Sequence, residues 1–151
     1  MSCDAVVSAA ALWLAAASPQ AAPAPLSPEA ATPAGAVAYE PLFADIVARA
    51  RRLKAEAEGL KGKPGAVPAD FKQGVGELSG LDMQAHLLLK QRGGDGDLKC
   101  ILKGISEDLP LKLQALEAAT APKDRDMALS DMTYLLNDNV EVITAPPKPP
   151  V

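Results

Sequence analysis

Apolar residues recur every three or four positions through four separate stretches of this chain, and proline or glycine fences each stretch. That spacing places them on one side of an α-helix and cannot serve a half-buried strand, whose period is two. The first stripe, from about Pro41 to Leu60, is Leu42, Phe43, Ile46, Val47, Ala50, Leu53, Ala57 and Leu60. Pro41 suits a first-turn position, and Gly59, Gly62, Pro64 and Gly65 end the segment. The second, from about Asp70 to Gln91, carries Phe71, Val75, Leu78, Leu81, Ala85 and Leu88, with Asp70 expected as N-cap. Its Gly74, Gly76 and Gly80 each cost about 1 kcal/mol relative to alanine, so either close approach of a neighbouring backbone or a ligand, or a helix stabilised only by packing, is expected there.

The third stripe, from about Asp97 to Ala119, is Leu98, Ile101, Leu102, Ile105, Leu109, Leu113 and Leu116. Pro110 lies inside it and cannot donate to the Ser106 carbonyl. Because the stripe keeps its phase across the proline, one kinked helix is expected. The fourth, from Pro122 or Lys123 to Ile143, is Leu129, Met132, Leu136, Val140 and Ile143, with Thr120 or Asp124 as cap. Each segment spans about 30 Å, and the links between them are short. The expectation is all-α: an up-down-up-down antiparallel four-helix bundle over residues 39–143 with disordered N- and C-terminal tails. Alanine and leucine dominate the apolar fraction and aromatics are only 3%, which agrees with helices.

The tails read differently. Residues 1–38 contain neither Lys nor Arg, and Ala5–Ala17 is apolar apart from Ser8. The run is too short to span a bilayer and has the length of a signal-peptide core. Asp4 stands where a basic residue is usual. A cleavable signal peptide over 1–22 is expected, followed by a Pro/Ala-rich linker over 23–38 and a Pro-rich tail over 144–151. The compartment is then periplasmic or secreted, with no transmembrane helix. A net charge of −4 argues against a nucleic-acid partner.

Little in the sequence carries chemistry. His86 is the one histidine, with Asp82 and Lys90 four residues to either side; an Asp82–His86 contact would orient its ring. It is expected at the flank of the core stripe, mainly as a boundary residue, with heme or metal ligation as the alternative role. Met132 is expected as core filler and, in the alternative, as a soft axial ligand for heme iron. Cys100 falls nearly opposite its helix's stripe, so an exposed thiol is expected. Loss of Cys3 with the leader would leave Cys100 able to link a homodimer. Glu107 and Asp108 are adjacent and point to different faces, so no acid/base pair forms there.

Two runs carry a resemblance. Asp70-Phe71-Lys72-x-Gly74 with Leu78-x-Gly80 and Ala85, and Leu136-Asn137-Asp138-Asn139-Val140 with Val142-Ile143, resemble helices of the soluble periplasmic b-type cytochromes. The runs occur here in the opposite chain order. The resemblance implies a four-helix bundle in the periplasm. It puts Met132 near the place of the family's methionine ligand, whereas the family's histidine sits on the last helix. Two functions follow as expectations. The first is an exported, non-enzymatic bundle that binds a protein partner in the bacterial cell envelope, with no cofactor. The alternative is a heme- or metal-binding bundle in electron transfer or metal handling, through His86 and Met132.

Overall fold

The computed structural model describes residues 36–93 and 96–145. The expected signal peptide, the linker up to residue 35, Cys3 and the tail beyond residue 145 lie outside the described residues.

A 3-10 turn, Ala36–Tyr39, leads into four helices: α1 (Pro41–Leu60), α2 (Ala69–Arg92), α3 (Gly96–Ala118) and α4 (Pro122–Thr144). All four expected segments are present, within one or two residues at each end. The caps differ more than the bodies. Pro41 and Pro122 open α1 and α4, where a missing N–H costs nothing. Asp70 and Asp124 lie inside the first turn, where a carboxylate meets the positive end of the helix dipole, and they are not N-caps. Gly93, with φ 71°, adopts the left-handed conformation that closes α2.

Each helix packs on its chain neighbours, and α1 also packs on α4. The pairs α1/α3 and α2/α4 therefore face each other across the diagonals. Polar contacts fix the directions. Lys72–Glu117, Ser79–Ser106 and His86–Lys99 descend along α3 as they climb α2. Lys54–Asn137 and Gly62–Asp126 do the same between α1 and α4. Neighbours are antiparallel, so α2 and α4 run parallel.

The core is aliphatic around Phe43 and Phe71, with Ile46, Leu53, Leu78, Leu102, Leu109, Leu129, Met132 and Leu136 fully buried. It extends beyond the expected boundary. Val37 is buried against the cluster, so the last residues assigned to an extended linker instead belong to the folded body. Arg92 at the end of α2 donates two hydrogen bonds of 2.8 Å to Glu40, tying the start of α1 to the end of α2. These bonds hold the Glu40 carboxyl below its ordinary range.

The three α2 glycines are not equivalent. A Cβ on Gly74 would fall 2.9 Å from Leu53 Cδ2, so this glycine admits the α1 leucine. Nothing approaches Gly76 or Gly80 within 4 Å, so no neighbour requires them. Gly80→Ala is expected to raise stability by about 1 kcal/mol, through the backbone entropy alone. A higher denaturant midpoint with an unchanged slope would verify it. Gly74→Ala is expected to gain less, because Leu53 must move.

Candidate functional site

The core stripe of α2 runs through Leu78, Asp82 and Ala85, and that of α4 through Leu136, Asn139 and Ile143. Steps of three and four therefore deliver one polar residue from each diagonal helix into the centre of the bundle. Both are fully buried. The Asn139 Nδ2 donates to Asp82 Oδ2 at 2.7 Å. Asp82 Oδ1 and Asn139 Oδ1 have no hydrogen-bond partner. Burial pushes the Asp82 carboxyl up to about 8, and the hydrogen bond from Asn139 opposes that shift only in part.

His86 lies one turn beyond Asp82 and is buried at 5% exposure, deeper than the boundary position expected of it. Its Nδ1 is 2.7 Å from the Lys99 carbonyl of α3. A carbonyl only accepts, so Nδ1 carries a proton. The contact expected between Asp82 and His86 is replaced by two interhelical ones: Asp82 to α4 and His86 to α3.

A second polar seam joins α2 to α3. Ser79 Oγ donates to the Ser106 carbonyl at 2.7 Å. This is the carbonyl that residue 110 would serve in an unbroken helix, and Pro110 has no N–H to give. The α2 hydroxyl fills that vacancy, and α3 runs through the proline as one helix, as its stripe implies. The Ser106 hydroxyl turns back to the Lys103 carbonyl at 2.7 Å.

Met132 is fully buried among the aliphatic side chains, as expected. It does not meet His86. The Asp82–Asn139 bond sets the level at which the parallel helices α2 and α4 face each other. His86 lies four residues past that level and Met132 seven residues before it. At a rise of about 1.5 Å per residue they are about 16 Å apart along the axis. Two ligands of one metal must each approach it within about 2.3 Å. The two side chains therefore do not converge on a common centre, and the heme geometry implied for them is not formed. Among the described residues no group of three His, Cys, Asp or Glu is placed to hold a metal ion. Cys100 is half-buried rather than exposed, and it is not a free thiol.

On the outside, Leu111, Met127 and Tyr134 are exposed at 59%, 59% and 70%. Met127 and Tyr134 are two turns apart on the outer face of α4. Asp131 lies between them and pairs with Lys112 of α3 at 3.1 Å, which brings the adjoining Leu111 to the same level. A shallow depression of about 470 Å³ opens beside Met127, lined also by Lys123, Asp126, Ser130 and Asp131. Further along α4, Asp138 is held above the ordinary carboxylate range by partial burial and by the nearby charge of Glu141.

No protein-family model, curated protein or solved structure matches the chain.

Ser79→Ala is expected to cost about 1–2 kcal/mol, because it strands a buried carbonyl. In a Pro110→Ala background the restored N–H serves that carbonyl and the cost shrinks. A double-mutant cycle by chemical denaturation should give a coupling of about 1 kcal/mol. Additive effects would show that Ser79 does not stand in for the missing donor.

Proposed function

We propose that this chain is an exported, non-enzymatic helical bundle that binds a protein partner in the bacterial cell envelope through the outer face of α3 and α4. The observation that carries the reading is a set of exposed apolar side chains, Leu111 on α3 and Met127 and Tyr134 on α4; Tyr39 and Leu87 are exposed elsewhere. Aromatic and methionine side chains of this kind are enriched where proteins bind each other. The depression beside Met127 offers a seat for one side chain of the partner.

Charge narrows the partner. Asp126, Asp131, Asp138 and Glu141 line this side of α4, with Asp131 paired to Lys112 and Lys123 nearby, and the charge of Glu141 adds to burial in raising Asp138. A complementary surface therefore carries apolar residues flanked by Lys or Arg. Export rests on the apolar run Ala5–Ala17 followed by small residues. No described helix is long and apolar enough to cross a membrane. The polar groups of the interior support a non-enzymatic reading. Asp82 and Asn139 have no exposed surface at which a substrate could arrive.

Capture from an envelope fraction, with bound proteins identified by mass spectrometry, tests the surface. The variant Leu111→Ser/Met127→Ser/Tyr134→Ser is expected to keep its fold and to bind the captured partner at least about tenfold more weakly, a change of about 1.4 kcal/mol. Equal capture by both proteins would sink the assignment of this face. Sequencing the N-terminus of the protein recovered from cells tests export, and an intact leader on a cytosolic protein would refute it.

A further inference from the structure

We propose that the Asp82–Asn139 pair is a proton-binding site: Asp82 Oδ1 carries a proton donated to Asn139 Oδ1, closing a two-bond carboxylic acid–carboxamide ring across the bundle diagonal.

One N–H···O bond of 2.7 Å already joins the two planar groups. The remaining oxygen of each is buried and has no partner. With Asp82 ionised, both are pure acceptors on side chains with no solvent-exposed surface, and neither can satisfy the other. A single proton on Asp82 turns one of them into a donor and satisfies both at once. A metal ion is a poorer occupant, since these two oxygens fall short of the six to eight that calcium takes or the octahedral shell of magnesium.

The surroundings favour the neutral form. On α1 the core face gives Phe43, Ile46, Ala50 and Leu53, all apolar; its Arg49 turns to Asp45 and Glu77, and Lys54 to Asn137. On α3, Lys103 turns to Glu107, while Ser106 and the Lys99 carbonyl are occupied as described. On α2, His86 gives its Nδ1 proton to α3. On α4, Asp138 and Glu141 are acidic and supply no positive charge to Asp82. No cation contributes to the Asp82 shift; burial drives it, and its value of about 8 places the proton on the carboxyl at neutral pH.

The linkage has a definite sign. Unfolded, an aspartate titrates near 3.9. Between that value and about 8 the folded chain holds one proton more than the unfolded chain, so stability falls as pH rises through this window. Below the window the contribution is complete, and above it the loss stops. The site therefore makes the bundle a structure that tightens on acidification and loosens in alkali.

Asp82→Asn supplies the test. An amide at position 82 donates to Asn139 Oδ1 and accepts from Asn139 Nδ2, so it keeps both bonds without a titrating group. Relative to this variant, the folding equilibrium constant of the wild-type chain is expected to fall about tenfold per pH unit between pH 5 and 7. Parallel pH profiles would overturn the proposal. Should the variant fail to fold, the side-chain carboxyl carbons of the wild-type protein, followed by NMR through a pH titration, decide the matter. One aspartate is expected to titrate near pH 8, and titration of every aspartate below pH 5 would overturn it.

Discussion

A carboxyl group and a carboxamide meeting at the centre of an aliphatic bundle constrain everything packed around them. Leucine and alanine faces are forgiving, since one helix can slide by a turn along another and still bury comparable area. Asp82 and Asn139 remove that freedom. They sit on the two diagonal helices, whose backbones do not adjoin, and the 2.7 Å bond between them crosses the core. A slip of one turn would leave two buried polar groups without partners, at about 1–3 kcal/mol for each. The pair thus sets the register of α2 on α4, and through their shared neighbours that of α1 and α3. The polar residue that fixes a coiled-coil register acts in the same way, trading stability for a single arrangement.

The second constraint comes from a defect. Pro110 opens a gap in the hydrogen-bond ladder of α3, and a helix so interrupted usually bends or ends. Ser79 supplies the missing donor from α2, and His86 adds a contact of the same kind two turns away. These side chain-to-backbone bonds lie along the α2/α3 interface, the most extensive of the four. The irregular helix is thereby held against the one that carries Asp82. The exposed ion pairs, such as Arg49–Glu77 and Arg52–Glu56, add little to this, because water screens them.

Helix number, helix limits and the antiparallel order were legible in the sequence because periodicity and proline–glycine punctuation are local signals. Leu53, Leu78, Leu109 and Leu136 fall where their stripes place them. The central pair was missed for a physical reason. A stripe read from apolar residues alone passes from Leu78 to Leu81 and from Leu136 to Val140, stepping over Asp82 and Asn139. The geometric signal was nonetheless present: Asp82 stands four residues after Leu78 and three before Ala85, and Asn139 three after Leu136 and four before Ile143. Two polar residues in phase with the core of two different helices are candidates for pairing. What the sequence does not encode is which helices lie diagonally and at what level, and this is also why His86 and Met132 could be read as partners.

The same geometry separates the interior of this protein from its surroundings. Among the described residues, Asp82 is bonded to α4 and His86 to α3, and Asp82 and Asn139 are fully buried. Chemistry that needs a substrate to enter has no entrance at Asp82. The face proposed for recognition needs none, because Leu111, Met127 and Tyr134 are exposed. Helix α4 belongs to both regions: its inner side holds Asn139 and its outer side presents Met127 and Tyr134. A helix pinned at one buried residue presents its outer side chains at a fixed rotation and height.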